Sequence, residues 1–382
     1  MVNLGIDNTY AIDRMRTLVI HPEFPGERYE WYLTLSPNGP SSDSLLATTR
    51  DLLFCQADTG TYHIRFDLYS SKLQHSYLQP EGPSTSGADL KPTLSHHFVV
   101  KVWEEQVAYS PYISRVLEYN PAPGQFVNTM PMYEEGDTYQ TMCQKAEAAI
   151  AGTKRGSISL GAWGGYVTFA FDHSVVNLPN QRDFVIHGNA FQSAAHAAGG
   201  SSEPGIVMVS IDQNQNGLPD DVFYQLRGSE YDHPQTIHQY AVTYHRTSTD
   251  IPWTDNQGQS GAVHKNTFHA QPYYPQWISD STLTFYGSCL PNNAEDLSGN
   301  GSYFLLHFYG DGYADCNPND GLPSDSTARC GMDIAWAVDA NGQAVNLPCI
   351  DFVRVYTGVN QECGWIGETS TEISHACDLH VL

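Results

Sequence analysis

Short apolar or alternating runs, separated by turns rich in Gly, Asn, Asp and Pro, recur along this chain and constrain its fold more than any other feature. Runs of this length and pattern predict β-strands. After about residue 157 no strand–helix alternation interrupts them, so a jelly-roll type of β-sandwich is favoured over a parallel α/β sheet. The predicted strands of this region are residues 166–171, 184–187, 205–211, 222–226, 240–245, 282–286, 304–308, 334–338 and 352–356.

The composition supports strands and turns, and it limits the partners. The 382 residues include 23 Tyr, 15 Phe, 32 Gly and 22 Pro, which are residue types that favour strands and turns. With 42 Asp+Glu against 18 Lys+Arg, the formal charge is −24. Nucleic acid and anionic membrane surfaces are therefore not expected as partners, because both require a cationic face. The apolar runs are also far shorter than the roughly 18 residues that a membrane span needs.

Residues 1–107 carry the pattern of an immunoglobulin-like or PKD-like sandwich. The predicted elements are strands at residues 29–34, 51–54, 63–68 and 98–102 and a long hairpin loop over residues 70–95. The turn from Asp58 to Tyr62 places a tyrosine at the head of a strand. Its hydroxyl can bond back to the preceding corner, as in the tyrosine corners of sandwich domains.

Residues 108–156 are predicted to be an extended linker followed by one short helix at the junction. Prolines at 111, 121, 123 and 131 forbid a continuous helix in the first part of the segment. The helix that follows has Asp137 as its expected N-cap and Gly152 as its stop. Its apolar face carries Met142, Ala146 and Ile150. Residues 157–382 then form the larger domain.

The eight cysteines include no CxxC pair, which argues against a zinc ribbon or a thioredoxin-type dithiol. Six of them lie at or after position 289, a cluster that fits disulfides in an oxidising compartment. Buried thiols are the alternative. The first residues lack the basic and apolar regions of a signal peptide, so an exported protein would be a trimmed mature chain with an added initiator Met.

A calcium loop is predicted at residues 212–221. Oxygen-bearing side chains alternate along it, and Gly217 permits the sharp turn that lets them converge. The expected ligands are Asp212, Asn214, Asn216, Asp220, Asp221 and the backbone carbonyl of Leu218. Phe223 stands where an EF-hand has its glutamate, and strands flank the loop, so a structural Ca²⁺ in a β-hairpin is expected. An Asn/Asp-rich turn without metal is the alternative.

No catalytic motif is present in the chain. The patterns G-x-S-x-G, G-x-x-x-x-G-K-[ST], G-x-G-x-x-G and H-E-x-x-H are all absent. The 16 histidines are not spaced as convergent metal ligands. Asp and Glu are too numerous for the sequence to select a pair for glycoside hydrolysis. The sequence therefore predicts a binding protein and not an enzyme.

Aromatic clusters indicate where a ligand would bind. Two prolines interrupt residues 268–277, so this segment is predicted to be a loop that displays Tyr273, Tyr274 and Trp277, and Trp365 lies in a similar context. Flat rings among polar groups suit sugars or a large planar ligand. The alternative is that these rings cover the open ends of the sandwich.

Further motifs are spread over nearly the whole chain. They comprise residues 159–166, 171–173, 188–191, 202–210, 212–221, 228–231, 253–258, 336–339, 351–358 and 364–373. This set resembles Bacteroidota cell-surface proteins with an N-terminal PKD-like domain. The resemblance implies outward-facing outer-membrane lipoproteins, often encoded near TonB-dependent transporters that include those for vitamin B12. Within the motifs, Glu203, Asn189 and Asp172 are candidates for a second oxygen-rich cation or ligand site, with turn-supporting hydrogen bonds as the alternative.

Two functions follow from these observations. The first is a non-catalytic receptor, lipid-anchored in the outer membrane as a precursor, that captures a corrinoid for a TonB-dependent transporter. Its ligand would lie between the loops that carry Tyr273, Tyr274, Trp277 and Trp365. The second is a glycan-binding surface protein or adhesin.

Overall fold

The computed structural model describes residues 3–34, 43–73, 91–153, 156–319 and 330–381. The chain divides into two units, Met1–Ala108 and Tyr109–Leu382. Almost all of the regular structure is β, which confirms the predicted all-β class of sandwich with a short helix.

The first unit is a sandwich of immunoglobulin type. Its described strands are β1 (Thr9–Asp13), β2 (Leu18–Ile20), β3 (Arg28–Thr34), β4 (Asp43–Ala47), β5 (Leu52–Phe54), β6 (Gly60–Tyr69) and β7 (Leu94–Trp103). One sheet has the order β1-β7-β6-β3-β4, with β1 parallel to β7, and β2 pairs with β5 in a smaller sheet. Buried side chains from both sheets, including Trp31, Phe66 and Leu52, form one core. The expected hairpin loop falls largely on residues 74–90, outside the described residues.

The predicted tyrosine corner is present in this unit. The hydroxyl of Tyr62 donates to the carbonyl oxygen of Asp58 at 2.8 Å. Trp31 is fully buried on β3, and its ring centroid lies 4.2 Å from that of Phe66 on β6. The hydrogen bond of Tyr62 therefore fixes the turn before β6, and Trp31 packs at the centre of the same sheet.

The second unit contains further strands and a helix. They are β8 (Arg115–Asn120), α1 (Tyr139–Ile150), β9 (Ile158–Ser159), β10 (Tyr166–Ala170), β11 (Val175–Val176), β12 (Phe184–His187), β13 (Phe191–Gln192), β14 (Gly199–Ser201), β15 (Gly205–Ser210), β16 (Tyr224–Leu226), β17 (Ile237–His245), β18 (Ile251–Asp255), β19 (Ser260–Val263), β20 (Thr282–Cys289), β21 (Ala294–Asp296), β22 (Phe304–His307), β23 (Tyr313–Ala314), β24 (Gly331–Met332), β25 (Ala337–Val338), β26 (Cys349–Ile350), β27 (Phe352–Thr357), β28 (Glu372–Ile373) and β29 (His375–Asp378). Two 3₁₀ turns span Ile334–Trp336 and Gly364–Ile366.

Two large antiparallel sheets pack on each other in this unit. One has the order β25-β16-β15-β27-β10-β8, with β23 also paired to β15, and the other has the order β19-β18-β17-β20. Apolar side chains from both, such as Ile206, Tyr356 and Tyr244, share one core around Trp163. Smaller sheets complete the unit, with orders β24-β12-β29, β13-β14-β22-β21, β11-β26 and β28-β9.

The segment expected as a linker lies within the second unit. Its residues 115–120 form β8, the edge strand that pairs with β10, because Val116 and Tyr119 bury their side chains there. Thr138, and not the predicted Asp137, caps α1 by a reciprocal capping box with Thr141. Asp137 instead binds Lys145, with 2.6 Å between carboxylate and ammonium.

The predicted strand at residues 334–338 is only partly correct. Its first three residues form the 3₁₀ turn Ile334–Trp336, because the side chain of Asp333 accepts from the N–H of Ala335 and caps that turn. The strand β25 then begins at Ala337.

Candidate functional site

A cavity of about 590 Å³ lies in the second unit. Strands β13, β14 and β22 form one wall, and the loops around Asn266 and Trp365 form the opposite one. The remaining side is lined by Glu203, Ser370 and Glu372. A cavity of this size accommodates a small ligand or a part of a larger one.

The mouth of the cavity is aromatic. The exposed rings are those of Phe191, Phe268, Tyr303 and Trp365, with 61%, 74%, 47% and 58% of their surface accessible. The Trp365 indole N–H donates to the carbonyl oxygen of Ser302 at 3.0 Å, which fixes the ring while leaving its surface open. The ring of Phe268 lies 6.3 Å from it at an interplanar angle of 76°. Together the rings form a preorganised apolar rim.

Three carboxyl groups form a cluster beside the cavity, and two of them, Glu203 and Glu372, line it. One oxygen from each of Glu203, Asp315 and Glu372 lies within 4.8 Å of the other two, and all but the partly buried Glu203 are almost fully buried. Glu372 also accepts from the side-chain amide of Asn189 at 3.1 Å and from the hydroxyl of Ser370 at 2.9 Å. The floor therefore presents acids, an amide and a hydroxyl beneath the aromatic rim.

Backbone geometry brings Asp315 into this cluster. The residue has φ of 50°, in the left-handed region, and one of its oxygens accepts from the N–H groups of Asn189 and Ala190 at 2.7 and 2.8 Å. Its other oxygen accepts from the N–H of Glu372 at 2.9 Å. A Cβ added at Gly188 would lie 2.1 Å from the Asp315 carboxylate, so this close approach requires a glycine.

The pKa values of these acids are raised. Burial, followed by the charges of its neighbours Glu372 and Asp315, raises the pKa of Glu203 well above its usual value. The same causes raise the pKa of Asp315, with Glu372 as the repelling charge. Burial also raises the pKa of Glu372 to about 7, although its hydrogen bonds to Ser370 and Asn189 oppose the shift. The cluster therefore holds protons near neutral pH and can both donate and accept hydrogen bonds.

The three carboxyl groups are close enough to ligate one cation. However, three backbone N–H groups already point at Asp315, and the N–H of Ser370 donates to Glu203 at 3.2 Å. N–H donors stabilise a carboxylate without a metal. The geometry is thus that of a hydrogen-bonded acid cluster.

The prediction that Tyr273 and Tyr274 form a ligand platform is wrong. Their rings are only 1% and 2% exposed and belong to the core between the two large sheets. Each hydroxyl serves the backbone: that of Tyr273 accepts from the N–H of Asn266 at 2.9 Å, and that of Tyr274 donates to the carbonyl oxygen of Asp280 at 3.0 Å. The alternative, that these rings close the end of the sandwich, describes them correctly.

The other two predicted aromatic residues have different surroundings. Trp277 is partly buried and stacks on Tyr119 and Tyr133, with ring centroids 5.9 and 6.3 Å away, and it does not line the large cavity. Trp365 does line that cavity. Of the predicted ligand residues, the structure thus brings Trp365 alone to this site.

The loop at residues 212–221 has the compact form expected of it. The two carboxylate oxygens of Asp212 accept from the N–H groups of Asn216 and Gly217 at 3.0 and 2.8 Å. The side-chain amides of Asn214 and Asn216 donate to the two oxygens of Asp220 at 3.0 and 2.9 Å.

The remaining predicted ligands complete this loop. Asp221 accepts from the N–H of Gln213 at 3.1 Å, and Gly217 has φ of 73°. Leu218 is 54% exposed at the tip. The predicted oxygen donors therefore gather in one turn, a donor set that matches the hard ligands Ca²⁺ prefers.

Two of the three motif residues proposed as a second oxygen-rich site meet in the cavity, since Asn189 donates to Glu372 beside Glu203. Asp172 lies elsewhere, where it accepts from the N–H of Ser110 at 3.0 Å and contacts the ring of His173. Its hydrogen bond supports the backbone, which is the alternative role given for these motif residues.

The cysteines are buried thiols, and no disulfide joins any of the eight, all of which lie in described ranges. The expected disulfide cluster is therefore wrong. Burial raises the pKa of Cys316 to about 12, so this thiol is protonated and unreactive at neutral pH.

Comparisons with known proteins add little. No protein-family model and no curated protein matches the chain. Among solved structures it has weak similarity to a SusE-like protein, with a TM-score of 0.23 and 6% identity over 97% of this chain and 95% of the other. It is also weakly similar to a structure reported for carbohydrate-binding modules of the β-sandwich superfamily, with a TM-score of 0.14 and 8% identity over 96% and 91% of the chains. These TM-scores define neither a shared fold nor a shared function.

A membrane-spanning helix is not found either. Within the ranges given above, none of the helices is both long and apolar enough to cross a bilayer.

The sequence predicted Trp365 at the rim and Glu203 and Asn189 as part of an oxygen-rich site, but not the other residues of the rim or the acid cluster. Phe191 and Tyr303 carry no local signal, because exposure of a single aromatic residue depends on distant packing. Glu203, Asp315 and Glu372 come from three separate parts of the chain, and only the pairing of β28 with β9 and of β15 with β23 and β27 brings them together.

Proposed function

We propose that the protein binds a saccharide in the cavity that Trp365 and Glu372 line. The observation that carries this proposal is an open aromatic rim above a floor of hydrogen-bonding acids and amides. The C–H faces of a sugar stack on flat rings, and its hydroxyls both donate and accept, which matches partly protonated carboxyl groups. This is the glycan-binding alternative. The corrinoid interpretation placed its ligand between Tyr273, Tyr274, Trp277 and Trp365, and of these only Trp365 lines the cavity.

In this proposal the protein binds a saccharide without cleaving it. Both oxygens of Asp315 accept backbone N–H bonds, and those of Glu372 accept from Ser370 and Asn189. A retaining glycosidase requires one carboxylate free to attack the anomeric carbon. Incubation of a bound oligosaccharide with the protein should therefore release no shorter products on chromatography.

The binding test uses isothermal titration with maltohexaose, cellohexaose, xylohexaose, mannohexaose and cyanocobalamin. Trp365→Ala should weaken binding of the recognised saccharide at least tenfold, or about 1.4 kcal/mol. Trp103→Ala is a matched control, because Trp103 is similarly exposed, at 56%, but lies in the first unit.

Two results would contradict the proposal. One is equal loss of affinity in both Trp variants. The other is binding of cyanocobalamin without any saccharide, which would restore the corrinoid receptor with its expected TonB-dependent transporter.

We also propose that the loop at residues 212–221 binds a structural Ca²⁺. Contacts within the loop support this site. The side-chain amides of Asn214 and Asn216 donate to Asp220. The N–H of Asn216 donates to Asp212. Calcium at a hundred times its Kd should stabilise the chelator-treated protein by about 2.7 kcal/mol. Thermal unfolding with and without Ca²⁺ measures this effect.

Asp212→Ala should abolish the calcium response. Asp339→Ala is the control, because Asp339 also accepts two backbone N–H bonds, from Asn341 and Gln343, in an ordinary hairpin turn. Absence of any Ca²⁺ heat or melting shift in the unaltered protein would refute the site.

Finally, we propose an outward-facing location on the cell surface. The motif resemblance described above supports it. Antibody labelling of intact cells, before and after protease is added outside the cells, tests the location. Protein that survives the protease in cells that have not been permeabilised would contradict it.

A further inference from the structure

A second cavity of about 400 Å³ opens on the other side of the core in the second unit, and it shares no lining residue with the first. It lies where β20 approaches β16 and β27. Tyr286 stands at its edge with 78% of its surface exposed, an unusual exposure for a large ring. Phe223 and Tyr231 supply further rings.

These rings are held in place by their neighbours. Tyr231 packs on the imidazole of His238, with ring centroids 4.5 Å apart. The guanidinium of Arg354 lies 3.9 Å from the centroid of Phe223. The cavity is thus a preformed surface with rigid aromatic sides.

Gln225 supplies an unsatisfied donor in this cavity. Its side-chain oxygen accepts from the hydroxyl of Ser288 at 2.8 Å, which fixes the amide. Its amide nitrogen is buried and has no hydrogen-bond partner among the described residues. A buried donor without a partner is destabilising, and an acceptor on a ligand would satisfy it.

The backbone beside the cavity is also strained. Gln239 lines it with φ of 55°, at the irregularity where β17 shifts its register against β20 between Ile237 and Tyr240. Bulges with non-glycine residues in the left-handed region concentrate at ligand sites. The bulge is held by the side-chain amide of Asn256, which donates to the carbonyl oxygen of Gln239 at 2.8 Å.

We infer that this cavity is a second saccharide-binding site. It combines the exposed ring of Tyr286 and the less exposed rings of Phe223 and Tyr231 with a buried amide donor that lacks an acceptor. The hydroxyl oxygens of a neutral sugar supply such an acceptor. The inference rests on the proposed saccharide binding of the first cavity, and it implies two binding sites on one chain. Two weak sites that engage one polysaccharide strengthen its retention without any new contact.

The test is the stoichiometry of binding in the full chain, measured by isothermal titration with the four hexasaccharides named above. Unaltered protein should bind two molecules of the recognised hexasaccharide, Trp365→Ala and Tyr286→Ala should each bind one, and the double variant should bind none. Because both side chains are exposed, thermal unfolding should show that every variant folds.

The outcomes separate the two proposals. In one outcome the unaltered protein binds a single saccharide molecule, at a site that is lost in Trp365→Ala and kept in Tyr286→Ala. That result would overturn the second site alone. Binding that is lost in Tyr286→Ala and kept in Trp365→Ala would support the second site and overturn the first. No binding of any of the four hexasaccharides would overturn both.

Discussion

A carboxyl oxygen of Glu203 and one of Glu372 lie within 4.8 Å of each other at the floor of the large cavity. Burial raises the pKa of both side chains, and the charges of Glu372 and Asp315 raise that of Glu203 further. The pair therefore keeps at least one proton at a pH where ordinary glutamates have lost theirs. This arrangement links the site to the stability of the second unit.

Stability should fall as the pH rises from about 5 to 8. The folded pKa of Glu372, about 7, lies above the unfolded value, so the folded state binds more protons than the unfolded state in this window. The stabilisation is complete below the unfolded pKa and is lost as the pH rises through the folded pKa. The slope is about 1.4 kcal/mol per pH unit for each such group. Urea unfolding at several pH values measures it, and a flat or rising profile would show that the acids ionise freely.

Glu368→Gln should reduce that pH dependence. Burial raises the pKa of Glu368 to about 8, and its side chain is 2% exposed with one oxygen lacking a partner. The variant keeps an oxygen that accepts from the N–H of Gln125, bonded at 2.7 Å in the unaltered chain. The loss of stability between about pH 5 and 8, the window between the unfolded and the folded pKa of this group, should shrink by about 1.4 kcal/mol per pH unit.

Glu134→Gln is the control for this prediction, because the Glu134 side chain is exposed and pairs with Lys145, which does not titrate in this window, so the profile should stay nearly unchanged. Identical pH profiles for both variants would contradict a buried proton on Glu368.

Gly188→Ala should distort the floor of the cavity. The new methyl group would lie 2.1 Å from the carboxylate of Asp315, so that side chain must move away from Asn189 and Ala190. Overpacking of this kind costs about 1–3 kcal/mol, and saccharide affinity should fall with it. Urea unfolding and isothermal titration measure the two effects.

A matched control is Gly60→Ala, where the nearest atom to the added Cβ lies at an ordinary 3.6 Å. If Gly188→Ala lowered the free energy of unfolding no more than Gly60→Ala does, the close contact with Asp315 would have no energetic importance.

Tyr62→Phe should destabilise the first unit by about 1 kcal/mol. The substitution removes the hydroxyl that donates to Asp58 and leaves the ring against Phe54, whose centroid lies 5.5 Å away. Unfolding of the second unit should be unaffected, which provides an internal control. An unchanged transition of the first unit would mean that the corner hydrogen bond is replaced by water without loss.

Local patterns predicted the strands and the corner because alternation and turn chemistry act within a few residues. The strand at residues 184–187 was predicted with its observed limits. Local patterns also identified the helix. Two neighbouring polar residues can each cap it, and the observed N-cap is Thr138 where Asp137 was predicted.

The site was much less predictable. Tyr273 and Trp365 occur in similar sequence contexts, yet one is buried and the other is exposed, because distant strands decide which loop is covered. The convergence of Glu203, Asp315 and Glu372 depends in the same way on pairings between remote segments. A single sequence holds no local signal for such pairings.

The order of the strands also affects how the chain folds during synthesis. Strand β10 pairs with β27, and β12 pairs with β29, so the second unit closes these sheets only after strands much later in the sequence have been made. The first unit completes all of its described pairings within its own residues. On the ribosome the first unit can therefore fold early. The segments that build the cavity stay unpaired for longer, with their apolar strands exposed, and depend on chaperones during that time.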